Sequence, residues 1–99
     1  MTAAELVHSA QTQDAPPADL TREAAALWHC KKGNWEESHN IAQDIHTPLG
    51  SWIHALLHVF EGDQWNADYW FNKAGKPTHG PKQIDALWME ITNVVLKQS

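Results

Sequence analysis

His54 and His58 stand four residues apart in a chain of 99 residues that contains 7 His and 1 Cys. On a helix, that spacing puts one imidazole above the other, so the two can ligate one metal ion. A divalent ion of the zinc, nickel or iron type suits imidazole, and two imidazoles alone do not complete a site. Further ligands must come from another helix, where His29, His39, Asp44 and Glu61 are the nearest residues of suitable type. A plainer explanation competes. With 7 His in 99 residues, roughly half of one such pair arises by chance. A buried His is also more often hydrogen-bonded than metal-bound. No HExxH occurs, which excludes that class of metalloprotease.

Other chemistry is sparse. Cys30 falls in the last turn of its helix, where the dipole disfavours a thiolate, and reads as a small buried hydrophobe. Glu36 and Glu37 sit at a helix start, where the macrodipole alone accounts for them. No Ser/His/Asp motif, Walker loop or dinucleotide fingerprint is present. The chain is therefore expected to be no enzyme and to carry no cofactor, unless the histidine pair holds a divalent metal. Lys and Arg total 7 against 12 Asp and Glu, a net charge of −5, which argues against nucleic acid as a partner. No apolar stretch is long enough to span a membrane, and MTAAELVHSA lacks the marks of a signal peptide. The single Cys fits a reducing compartment, so a cytoplasmic location is expected.

The elements that must position these residues all read as helices. Residues 3–12 suit a short helix, and the Pro16-Pro17 segment reads as an extended linker, so 1–18 is an N-terminal arm and linker. A single helical domain is expected over 19–99. Asp19 is the expected N-cap of its first helix and Gly33 its stop. Asn34 with Glu37 resembles a capping box for the next helix. Thr47-Pro48 opens a third, which is apolar nearly all round and therefore central. Asp63 caps a fourth, with Trp65, Ala67, Trp70, Phe71 and Ala74 on one side. The last helix carries Ile84, Leu87, Trp88, Ile91, Val94 and Val95 at i, i+3, i+4, i+7 spacing. No strand pattern competes, so the fold class is all-α.

Gly33-Asn34 and Gly62-Asp63 lie 29 residues apart, and aligning them superposes Ala26-Leu27-Trp28-His29 on Ala55-Leu56-Leu57-His58. GNWEESHNIAQDIHTP and GDQWNADYWFNKAGKP then resemble the turn and second helix of tetratricopeptide (TPR) repeats, over about residues 20–77. The resemblance implies two stacked TPR-like helix–turn–helix hairpins (19–46 and 48–76), capped by a C-terminal helix (81–97) and a short N-terminal helix or arm. WIHALLH followed by GDQWNADYWFNKAGKP is also similar to a group of small bacterial helical proteins.

The central helix carries more apolar residues than one face can hide. Leu27, Trp52, Leu56, Val59 and Phe60 are candidates to line an apolar groove, and Tyr69 is the outward member of Tyr69-Trp70-Phe71. The function that sequence favours is a non-enzymatic interaction module, binding a protein or peptide partner or a second copy through that groove. The alternative is a metal- or small-ligand-binding protein using His54 and His58.

Overall fold

Oxygen-bearing side chains start most of the helices. The computed structural model describes residues 1–98, and among these it contains six α-helices and no strand. They are α1 (Ala3–Thr12), α2 (Arg22–Lys32), α3 (Trp35–Gln43), α4 (Pro48–Phe60), α5 (Gln64–Ala74) and α6 (Ile84–Lys97), the last preceded by a 3-10 turn at Pro81–Gln83. Thr2 and Glu5 close a reciprocal capping box on α1. Thr47 accepts from the Gly50 N–H at 3.1 Å with Pro48 at the first helical position, and Asp63 accepts from the Asn66 N–H at 3.2 Å.

Two expected caps differ. Thr21, not Asp19, caps α2 by accepting from the Ala24 N–H at 3.2 Å. The reason is a turn after the prolines, in which the Leu20 N–H reaches the Pro17 carbonyl, so the helix begins later. Asn34 makes no side-chain cap to α3. Its backbone N–H instead donates to the His29 carbonyl, closing the end of α2 around Gly33, whose φ of 96° is left-handed.

The core is built around α4, in which every residue from Gly50 to Val59 is buried. It packs against α5, α3, α6 and α2, as expected of a helix apolar on all sides. The segment read as an N-terminal arm forms a helix that docks on α2 and α6, with Leu6 and Ala10 in the core. Buried Trp28 donates its indole N–H to Ser9 of α1 at 3.0 Å, and buried Trp88 of α6 donates to the Leu27 carbonyl at 3.0 Å. Each indole thus fills volume and leaves no stranded donor.

Gly50 fixes the entry to α4. A β-carbon there would lie 2.0 Å from the Ile45 carbonyl oxygen, so only glycine lets the α3–α4 turn rest on the first turn of α4. Trp65 departs from the expected stripe of α5 and is 81% exposed. The inner face runs Ala67, Phe71, Ala74, and Trp65 lies about 200° round the helix from Ala67.

Candidate metal centre

The i, i+4 pair on α4 is completed by a third imidazole from α3. His39 reaches across the α3–α4 contact, and its Nε2 lies 2.9 Å from Nε2 of His54. Ring nitrogens of His39, His54 and His58 all lie within 4.8 Å of one another. His54 and His58 are stacked with centroids 4.9 Å apart, and His39 stands edge-on to both. Two nitrogens bound to one tetrahedral zinc at ~2.0–2.1 Å lie about 3.3 Å apart, so an opening of a few tenths of an ångström admits the ion between His39 and His54.

Each imidazole is held by a different neighbour. Trp35 stacks on His39 at 4.7 Å and is itself pinned by its indole N–H, which donates to the Leu57 carbonyl at 2.7 Å. Trp70 of α5 stacks on His54 at 4.0 Å. Glu61 bonds Nδ1 of His58 at 2.6 Å, which fixes the ring and leaves its Nε2 free for a metal. This is the carboxylate–histidine arrangement that orients metal ligands and raises their basicity. Oxygens of Glu61 and Asp63 with a His58 nitrogen form a second close group. The Asp63 carboxylate is already committed to the Asn66 backbone and side chain, bonds that hold it below its usual pKa.

Burial also sets the protonation. Desolvation, followed by the neighbouring His39 and His58, pushes the His54 pKa down to about 4. The His39 pKa is lowered first by desolvation and then by His58. Both rings are therefore neutral at pH 7, the form that ligates metal. Cys30 behaves in the opposite sense. Burial pushes its thiol up to about 12, so it is no thiolate.

Of the four residues of suitable type outside the pair, His39 and Glu61 join the cluster. His29 does not; it lies edge-on to Trp28, and its Nδ1 is buried without a partner. Asp44 is exposed at the end of α3. Among the six groove candidates, Leu27, Trp52, Leu56 and Val59 are core residues at 2% exposure or less, whereas Phe60 and Tyr69 are exposed. The helices of the chain itself cover those four, since α6 packs across α2 and α4 and α1 packs on α2. Trp35 and Trp70 are half-buried and support the rings of His39 and His54. The signal available for Trp35 was its own i, i+4 spacing to His39.

Fold and site together define a small helical protein with a three-histidine cluster at one helix crossing. Comparison with family models, with curated proteins and with solved structures returns no match.

Proposed function

We propose that this chain binds a divalent transition-metal ion through His39, His54 and His58, with Glu61 as the positioning carboxylate on His58. The observation that carries this reading is the convergence of three imidazoles from two helices, each held by a separate neighbour. Neutral nitrogen ligands favour zinc, nickel, cobalt or copper over magnesium and calcium, which prefer oxygen. Three protein ligands leave a fourth position for water or another small ligand.

Calorimetric titration of metal-free protein with Zn²⁺ tests it. One ion per chain is expected, with His39→Ala abolishing tight binding and Glu61→Gln weakening it about 10- to 100-fold. His39 is only half-buried, so its loss leaves the fold in place. Absence of stoichiometric binding, or binding unchanged in His39→Ala, rejects the proposal.

A second reading keeps an interaction role but moves it to α5. Trp65 and Tyr69 sit one turn apart and are 81% and 50% exposed, a spacing that suits contact with another protein surface. Sedimentation of the protein with and without Trp65→Ser tests it; a monomer in both cases removes self-association through this face.

A further inference from the structure

Beside the histidine cluster, a cleft of about 470 Å³ opens between the α3–α4 turn, the first turns of α4, and α5. The chain carries 12 Asp and Glu against 7 Lys and Arg, yet no carboxylate among the described residues lines this cleft. Its charged and ionisable members are Lys73, His46 and His54. The positive end of the α4 dipole lies at the same place, through Thr47 and Ser51.

Ser51 supplies an independent sign of a ligand. It is 7% exposed and lines the cleft, and its hydroxyl makes no hydrogen bond among the described residues. A hydroxyl so placed has a donor to offer and nothing within the chain to receive it. His54 also lines the cleft, with its Nε2 directed to His39. Lys73 lies over the rings of Trp70 and Tyr69, at 5.2 and 5.9 Å from their centroids, and has no acidic partner among the described residues.

We propose that this cleft is a binding site for a small organic monoanion, a carboxylate carried on a flat apolar body. The carboxylate accepts from Ser51 and faces Lys73 and the start of α4, while the apolar body rests against Ile45, Pro48 and Trp70. One full cation and apolar walls match a single negative charge and not a multiply charged phosphate. Lys73 and Ser51 are not ligands in the metal proposal, so the two readings stand or fall separately.

The test is an NMR titration of metal-free, full-length protein with benzoate, benzamide and phenyl phosphate. Benzoate is expected to shift the amides of Thr47, Leu49, Gly50 and Ser51 and the indole resonance of Trp70, and to bind about tenfold more tightly than neutral benzamide. Ser51→Ala weakens benzoate about tenfold, as expected for a hydrogen bond to a charged group. Lys73→Gln, at an exposed position whose change leaves the fold intact, weakens it about fivefold. Benzamide binding as tightly as benzoate, phenyl phosphate binding more tightly, unchanged affinity in Lys73→Gln, or shifts absent or confined elsewhere would each overturn the assignment.

Discussion

Two regions of this small protein use tryptophan for opposite ends. Where α1, α2 and α6 meet, Trp28 and Trp88 are fully buried and each donates its indole N–H inside the core. Where α3, α4 and α5 meet, Trp35 and Trp70 are half-buried and lie flat on imidazoles. The first arrangement maximises apolar burial with both indole donors satisfied, which is the efficient solution for a short chain. The second orders three polar rings that an aliphatic core would not need. Holding neutral imidazoles together out of water costs stability, and packing alone does not call for it. The difference separates a part of the molecule packed as an apolar core from a part that orders a cluster of imidazoles.

The largest effect is expected in the apolar region. Trp88→Ala removes a fully buried indole and leaves the Leu27 carbonyl without its donor. Destabilisation of about 4 kcal/mol is expected in urea denaturation, a large part of the total for a domain of this size. A loss below about 1.5 kcal/mol would mean that the indole is not the keystone of this end.

Acid should act on the other region. The folded-state pKa of His54 is pushed down to about 4, below its ordinary value of 6.5, so the unfolded chain takes up protons first as pH falls. Titration of His54 takes nothing from stability above pH 6.5, and stability declines as pH drops from there toward 4, by a total of order 2 kcal/mol. His39 adds to the change in the same direction. Denaturation midpoints measured between pH 7.5 and 4.5 check this, and His54→Leu should flatten the profile. A profile equally steep in that variant would place the titrating group elsewhere.

The smallest effect has the opposite sign. Replacing buried His54 by leucine of similar bulk should raise stability at pH 7 by about 1 kcal/mol while removing metal binding. Thermal unfolding is the readout. A clear loss of stability would show that the imidazole cluster contributes to the fold in its own right.

How much of this was readable from sequence follows from the range of the interactions. Helix starts at Thr47 and Asp63 and the stop at Gly33 depend on a few neighbouring residues, and the structure has them where the sequence puts them. The burial of α4 was likewise written in the apolar residues that nearly encircle it. Cap choice at α2 failed because Asp19 and Thr21 are both competent, and the proline turn decided between them. The groove reading failed at Leu27, Trp52, Leu56 and Val59 because local pattern cannot reveal which helix covers which face. At the histidine cluster, the His54–His58 pair is a local feature, but His39 joins it only through the α3–α4 crossing. That crossing depends on Gly50, whose contact with Ile45 has no periodic signature. The stacking of Trp35 and Trp70 is a property of the packed helices, and composition presented both only as large apolar residues.

The central claim concerns which atoms meet a metal, and X-ray absorption at the zinc edge of protein loaded with one equivalent of Zn²⁺ addresses it most directly. Three imidazole nitrogens at about 2.0 Å with one further light ligand are expected in the wild-type protein, and fewer than three in His39→Ala, in which tight binding is lost. A coordination shell of oxygen alone, or an imidazole count that does not change in that variant, would contradict a metal centre at His39, His54 and His58.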